Sequence, residues 1–218
     1  MTIAFSDIEN STDHLVALGD QVWMQTLEAH EELIRTAVRA QRGRVVKNVG
    51  DGFMMSFASA RGAVDAMCVV QRQLDSTTEA ALANIRVRVG MHTGEVVTDD
   101  GGDLFGPHIN VAARVGCKAN GGEILVSSLT RAILETSNDL LFGDTRETEF
   151  RGIPGTHRVH PVLWHARGHA PRTSGRTRLA ERHTFNSQAR WPPTGPKPQA
   201  FGRGSLGSPR IRSPMMLR

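Results

Sequence analysis

The amino-acid sequence predicts an α+β sandwich in which helices cover an antiparallel or mixed sheet. Two strand-like runs, RVVKNV and FMMSF, flank Gly50-Asp51-Gly52, and this arrangement is a strong signal for a β-hairpin. Apolar residues between Gln21 and Gln41 recur at helical spacing, and Gly43 follows them as a stop signal. Hairpins mixed with helices, without strict alternation of strand and helix, favour this fold class.

The elements near the N-terminus are predicted from short apolar runs and capping residues. Residues 2–6 form an apolar run that ends at Asp7, and they predict a buried strand. Ser11 and Thr12 are expected to cap the helix that follows, and Ser59 is expected to cap a later helix.

The second half of the chain continues the same mixture. The predicted order is two strands joined by a turn near Thr93-Gly94, then a helix, a strand, a short helix and two closing strands. These segments are residues 85–92, 94–99, 109–119, 123–128, 128–137, 148–152 and 157–164.

Charge divides the 218-residue chain into two parts. Residues 168–218 contain ten Lys or Arg and one acidic residue, a net charge of +9, whereas the whole chain carries +4. Residues 1–167 are therefore mildly acidic, and their number suits a single domain. Seven of the ten prolines lie in residues 168–218, and no apolar periodicity is sustained there, so we expect a disordered tail.

A basic tail of this kind could tether the protein to nucleic acid or to an anionic membrane. The tail has neither regularly spaced aromatic residues nor an amphipathic helical pattern. An inert basic tail is therefore favoured, and nucleic acid is not an expected partner.

The compartment is predicted from what the sequence lacks. No apolar run reaches the roughly 18–20 residues that span a bilayer, and the start MTIAFSDIEN does not resemble a secretory signal. Cys68 and Cys117 are too few for a disulfide framework. We therefore expect a cytoplasmic protein without a membrane span.

Two carboxylates occupy positions that suit a metal site. Asp7 ends the first predicted strand, and Asp51 lies at the tip of the predicted hairpin. A strand end and a hairpin tip can converge on hard cations such as Mg²⁺, which prefer oxygen ligands. Taken singly, Asp7 also suits a helix-entry cap and Asp51 an ordinary turn.

Three separated stretches decide between these alternatives: FSDIENST at 5–12, KNVGDGF at 47–53 and DLFGPHINVAAR at 103–114. The two aspartates are 44 residues apart, and Asn110 and Arg114 follow Asp103 by seven and eleven residues. In content, order and spacing, the chain resembles the catalytic domain of class III nucleotidyl cyclases, the adenylate and guanylate cyclases, over about residues 2–165. The resemblance implies a ferredoxin-like βαββαβ sandwich.

The resemblance also implies a role for each matching position, in a head-to-tail homodimer that converts ATP to cyclic AMP and pyrophosphate with two Mg²⁺ or Mn²⁺ ions per site. The metals would be held by Asp7, the carbonyl of Ile8, and Asp51, all from one subunit. The other subunit would supply the purine-reading, ribose-holding and phosphate-stabilising residues. These are Lys47 and Asp103 for the purine, Asn110 for the ribose, Arg114 for the α-phosphate and Arg151, where relatives usually have lysine, for the terminal phosphates.

The residue types alone do not determine which purine base the site would bind. A lysine donor facing N1 and an aspartate acceptor facing N6 match adenine, but exchanging the two positions would suit guanine. The resemblance favours adenine, because Lys47 with Asp103 is similar to the pair in adenylate cyclases, whereas guanylate cyclases usually carry glutamate and a small or thiol residue. A guanylate cyclase remains the alternative.

One position departs from the family pattern. Asn10 stands where the family usually has glycine, beside the phosphate-binding backbone. If this position needs a positive φ, asparagine is the least costly substitute, although its side chain could crowd a triphosphate. This departure and the short segment before the first strand leave a second hypothesis open, a catalytically weak or silent nucleotide-binding module.

Overall fold

The computed structural model describes residues 1–166 and contains a seven-stranded mixed sheet. The strand order across the sheet is β2-β3-β1-β4-β7-β9-β8. Its strands are β1 (Thr2–Ile8), β2 (Arg44–Val49), β3 (Gly52–Phe57), β4 (Val87–Thr93), β7 (Ile124–Ser127), β8 (Arg146–Phe150) and β9 (Ile153–Pro161). Two further strands, β5 (Val97–Thr98) and β6 (Leu104–Phe105), pair only with each other.

Helices cover both faces of the sheet. Within residues 1–166 the α-helices are α1 (Ser11–Leu18), α2 (Asp20–Ala40), α3 (Ala60–Ser76), α4 (Pro107–Gly116) and α5 (Ser128–Ile133). Successive side chains of a strand point to opposite faces, so β1 divides its residues between two cores. Ala4 and Ile8 join the core that includes α2 and α3, whereas Ile3 and Phe5 pack with Ile109 and other residues of α4.

The predicted βαββαβ order is confirmed in the first half of the chain. Strand β1 is followed by α1 and α2, then by the β2–β3 hairpin, α3 and β4. Strand β1 lies between β3 and β4 and is antiparallel to both. The sheet is mixed because β4 and β7 pair in parallel, and the β8–β9 hairpin extends the sheet beyond β7.

Helix α4 lies unusually close to the sheet because two glycines face each other. A Cβ atom built on Gly90 of β4 would lie 1.9 Å from the backbone nitrogen of Gly116 in α4, which is far inside van der Waals contact. Any side chain at Gly90 would therefore push α4 outward. This contact fixes the height above the sheet of the helix that carries Asn110 and Arg114.

Most predicted elements are confirmed, and one local prediction, the N-terminal helix cap, is wrong. Ser59 caps α3 as expected, accepting from the backbone nitrogen of Gly62 at 3.3 Å. Ser11 and Thr12, however, lie inside α1, whose N-cap is Asn10 and has no side-chain cap hydrogen bond. The two strands predicted around Thr93-Gly94 are present as β4 and β5, and β5 pairs with β6 rather than with β4.

Asn10 has the left-handed backbone conformation, with φ 56° and ψ 37°. Asparagine is among the few non-glycine residues that adopt this conformation at low cost. The replacement of glycine therefore does not distort the turn between β1 and α1.

The expected tail at 168–218 and its boundary at 167 lie outside the described residues. None of the helices between residues 1 and 166 is both long and apolar enough to cross a bilayer.

Candidate active site

The carboxylates of Asp7 and Asp51 lie close enough to influence each other. Asp7 is on β1, and Asp51 is in the turn between β2 and β3, the strand next to β1. Burial of Asp7 and then the negative charge of Asp51 raise the pKa of Asp7. The pairing of β1 with β3 thus brings together two aspartates that are 44 residues apart in the sequence.

Burial makes this pair chemically unusual. The pKa of Asp7 is raised to about 6, first by burial and then by the charge of Asp51, and the guanidinium of Arg88 opposes this rise. Oδ2 of Asp51 is buried, and no polar atom of residues 1–166 forms a hydrogen bond with it. Burying a carboxylate oxygen without a partner is costly, so this atom is suited to a cation.

The residues present fit a divalent metal. Two adjacent carboxylates satisfy Mg²⁺, which usually keeps several water ligands and takes the rest from substrate phosphates. Ile8 ends β1 directly after Asp7, so its carbonyl lies at the same end of the strand. Residues 1–166 contain no group of three or more His, Cys, Asp or Glu side chains that could hold a metal without such additional ligands.

Arg88 is a member of this cluster that the sequence analysis missed. It lies opposite Asp7 in the β1–β4 ladder, and its Nε donates to Asp7 Oδ2 at 2.8 Å while a second nitrogen contacts the same oxygen. Both side chains are largely buried, with 20% and 16% exposure. The strand pairing that creates this contact cannot be derived from the spacing within either strand.

Lys47 and Asp103 form a direct ion pair. Lys47 Nζ donates to Asp103 Oδ2 at 2.7 Å, and this hydrogen bond is the main reason why the pKa of Asp103 is lowered. The pair links β2, at the edge of the sheet, to the loop before β6. Both side chains are about one-third exposed, so a ligand can reach them.

The loop before β6 is held from two directions. Asp99 Oδ1 accepts from the backbone nitrogen of Asp103 at 2.8 Å, which closes the loop internally. Arg44 on β2 donates to the carbonyl of Gly102 at 2.7 Å. Arg44, also missed from sequence, therefore ties the residue before Asp103 to the strand that carries Lys47.

Asn110 and Arg114 lie one helical turn apart on α4, so they share one side of the helix. Asn110 is exposed and Arg114 is partly exposed, while Ile109, Ala112 and Ala113 face the sheet. The helix thus presents an amide and a guanidinium outward from a rigid base.

Arg151 lies far from the carboxylates along the sheet. It is exposed in the turn between β8 and β9, and β8 is the edge strand opposite β2. Strands β3 and β8 are five positions apart, or roughly 24 Å at about 4.8 Å per strand. Within one subunit, the structure therefore brings Asp7 to Asp51 and Lys47 to Asp103, but it does not bring Arg151 to the carboxylates.

This fold and this constellation define a nucleotide-cyclising class of domain, and comparison with known families agrees. Residues 1–163 match the family model described as the adenylate and guanylate cyclase catalytic domain. The chain belongs to this family.

Individual relatives carry the same description. A putative adenylate cyclase 3 of Rhizobium meliloti is 30% identical over 136 residues, which are 62% of this chain and 23% of that protein. A structure of adenylate cyclases from Trypanosoma brucei in their monomeric state superposes with a TM-score of 0.67 at 26% identity, covering 75% of this chain and 89% of that one. The guanylate cyclase domain from Catenaria anguillulae in complex with GTP shares the fold, with a TM-score of 0.62, 21% identity and coverage of 74% and 94%. The chain spans about a quarter or less of the length of several curated relatives that it matches.

Proposed function

We propose that this chain is an adenylate cyclase, which converts ATP to 3′,5′-cyclic AMP and pyrophosphate with two divalent metals at the interface of a homodimer. The observation that carries the proposal is the buried pair of Asp7 and Asp51, with Oδ2 of Asp51 left without a hydrogen bond among the described residues. A pair of this kind is unfavourable in the absence of a cation and favourable with one.

The reaction forms a bond between the ribose 3′-oxygen and the α-phosphorus and breaks the bond to the bridging oxygen of pyrophosphate, which leaves. Divalent cations at Asp7 and Asp51 would lower the pKa of the 3′-hydroxyl and neutralise the triphosphate. Arg114 donates to the α-phosphate oxygens, where charge increases in the transition state, because a guanidinium stays protonated and has a fixed planar geometry. Asn110 holds the ribose so that its own oxygen faces phosphorus.

Arg88 and Arg151 would act on the rest of the triphosphate. Arg88 is paired with Asp7 in the described structure, and a cation at Asp7 would compete for that carboxylate. The guanidinium then needs another anion, which a phosphate oxygen can supply. Arg151 is exposed at a hairpin tip, where it can reach the terminal phosphates of a nucleotide bound by another subunit.

The ion pair of Lys47 and Asp103 supports adenine as the base. A lysine donor facing N1 and an aspartate acceptor facing N6 match the hydrogen-bonding edge of adenine. A site with both groups fixed rejects a base with the reverse pattern, because its polar groups would be left unpaired. Relatives named as adenylate cyclases support the same choice.

The strand order supports a shared site. Asp51 and Arg151 lie in hairpin turns toward opposite edges of the seven-stranded sheet, separated by five strand positions, or roughly 24 Å at about 4.8 Å per strand. Two copies arranged head to tail would place the hairpin tip of one subunit beside the carboxylates of the other. Because one chain contains all the proposed residues, a homodimer can form two complete sites.

The test is an incubation of the purified protein with ATP or GTP and Mg²⁺ or Mn²⁺, with cyclic nucleotide and pyrophosphate measured. We expect cyclic AMP from ATP, and we expect Asp51→Asn to abolish it, while Asp144→Asn, at an exposed carboxylate away from the site, retains it. Preferential formation of cyclic GMP would instead indicate a guanylate cyclase. Binding of ATP by a folded protein without turnover would indicate a silent nucleotide-binding module.

A further inference from the structure

A chain of buried and partly buried hydrogen bonds joins the first turn of α4 to the centre of the sheet. Nδ1 of His108 lies 2.9 Å from Nε2 of His92, and Nδ1 of His92 lies 2.7 Å from Oγ of Ser127. The hydroxyl of Ser127 continues to Thr130 at 3.1 Å, and Thr130 continues to Thr93 at 3.1 Å. The chain thereby connects α4 with β4, β7 and α5.

His92 is the centre of this chain. It is 7% exposed, and its pKa is lowered to about 4, first by burial and then by His108. It is therefore a neutral imidazole at neutral pH, with one nitrogen that donates and one that accepts. Both ring nitrogens of His92 form hydrogen bonds, one with Ser127 of β7 and one with His108 of α4, so neither is left without a partner in the interior.

The backbone around His108 is shaped to hold its ring. A Cβ built on Gly94 would lie 2.2 Å from Cγ of His108, so only glycine leaves space for the imidazole. The two histidine rings also stack, with centroids 5.1 Å apart. His108 is therefore held by packing as well as by its hydrogen bond.

We propose that His108 is a positioning residue for catalysis, which sets the rotation of α4 through His92 and thereby aims Asn110 and Arg114. His108 occupies the first turn of α4, two residues before Asn110 and six before Arg114. The opposite end of the helix is fixed by the Gly90–Gly116 contact, so the histidine pair supplies the second point of attachment. Because a displacement of about 1 Å can cost roughly a hundredfold in rate, a loosened first turn lowers turnover.

This role rests on the proposed function, and its stereochemistry allows a sharp test. His108 forms its hydrogen bond with His92 through Nδ1, and the side-chain amide of an asparagine would place a polar atom at nearly the same position. Glutamine instead places its amide near the position of Nε2, one bond further from the helix. An amide also offers both a donor and an acceptor, so it can replace the imidazole for either tautomer of His92.

The experiment compares His108→Asn, His108→Gln and His108→Ala, with His160→Ala as the matched control. His160 also bonds two hydroxyls, those of Ser128 and Thr145, but it lies on β9 and contacts no proposed site residue. We expect kcat to fall roughly tenfold to a hundredfold in the Gln and Ala variants, with KM for ATP within about twofold of the original protein. The Asn variant and the control retain kcat within about threefold. Gly94→Ala, which displaces the ring while keeping His108, should behave as His108→Ala.

A second measurement keeps this inference separate from the proposed function. Hydrogen exchange of the amides of residues 109–112 should accelerate in the Gln and Ala variants and stay unchanged in the Asn variant, whether or not the protein makes cyclic AMP. If all three variants lose thermal stability equally and keep the same kcat per folded molecule, the histidine pair is only structural and the inference is overturned. Equal exchange rates in all variants would overturn it as well.

Discussion

At the scale of single residues, Asp7 experiences opposing influences. Burial and the neighbouring Asp51 favour its neutral form, whereas the guanidinium of Arg88 favours its charged form. The net effect is a pKa of about 6, against an ordinary value of 3.8. In a metal-free protein at neutral pH, Asp7 is therefore charged at a free-energy cost that a bound cation removes.

This cost predicts a pH-dependent stability difference between the original protein and Asp7→Asn. Because the pKa of Asp7 is raised in the folded state, the carboxyl contributes stability below about pH 4, and this contribution is lost as the pH rises through about 6. At about 1.4 kcal/mol per pKa unit, the difference is on the order of 2–3 kcal/mol. Urea unfolding with a chelator at pH 4.5 and pH 7.5 should show Asp7→Asn becoming relatively more stable at the higher pH. Addition of Mn²⁺ should stabilise only the original protein, and an unchanged difference across this range would contradict the prediction.

Arg44 gives a second prediction at this scale. Its hydrogen bond to the carbonyl of Gly102 holds the residue next to Asp103, so Arg44→Gln should let the purine-reading aspartate move away from Lys47. We expect the ratio of kcat/KM for ATP to that for GTP to fall by roughly threefold to tenfold, the equivalent of one hydrogen bond. Arg39→Gln, at an exposed arginine at the end of α2, should leave the ratio unchanged. A proportional loss with both nucleotides would indicate a general effect on folding instead.

At the scale of elements, α2 contains a buried histidine whose two ring nitrogens form no hydrogen bond with any described residue. His30 faces the core against Phe53, and neither ring nitrogen has a hydrogen-bond partner within residues 1–166. Burial lowers the pKa of His30 to about 4 from an ordinary 6.5. The folded state therefore tolerates only the neutral ring, and its stability decreases as the pH falls from about 6.5 toward 4.

The resulting prediction concerns His30→Leu. The substitution removes a group that must stay neutral and also removes two unsatisfied nitrogens, each of which costs about 1–3 kcal/mol when buried. The free energy of unfolding at pH 7 should be equal or higher, and its decrease between pH 6.5 and pH 4.5 should be shallower than in the original protein. Chemical denaturation at several pH values measures both quantities. A parallel decrease in the two proteins would show that His30 does not contribute to acid sensitivity.

The elements also show how far local patterns predict this fold. The β2–β3 hairpin and the Ser59 cap were predictable because each depends on residues close together in sequence. Strand β5 was predicted as a strand after β4, but its pairing with β6 across the loop that contains Asp103 was not predicted, because tertiary packing selects the partner. The ion pair of Arg88 with Asp7 was missed for a related reason, because it depends on the register between β1 and β4.

At the scale of the whole molecule, the sheet separates Arg151 from the carboxylates of Asp7 and Asp51. Asp51 is in the turn of the β2–β3 hairpin, whereas Arg151 is in the turn of the β8–β9 hairpin at the other edge. The assignment of residues to the site comes from the motifs in the sequence and stays a prediction. Their proposed division between two chains comes from the family resemblance, and the strand order supports it for Arg151 alone.

Mixing two inactive variants tests this division directly. Asp51→Ala should abolish turnover through loss of a metal ligand, and Arg114→Ala should lower kcat by about 10²–10³ while the fold persists. In a mixed dimer, one of the two sites combines the intact Asp51 of one subunit with the intact Arg114 of the other, and the second site carries both defects. Equimolar mixing after subunit exchange should therefore restore up to about a quarter of the original activity, because half of the dimers are mixed and each has one intact site. Exchange is measured separately by energy transfer between differently labelled subunits. If exchange is complete and activity stays at the level of the separate variants, both residues act within the same subunit and the interfacial site is refuted.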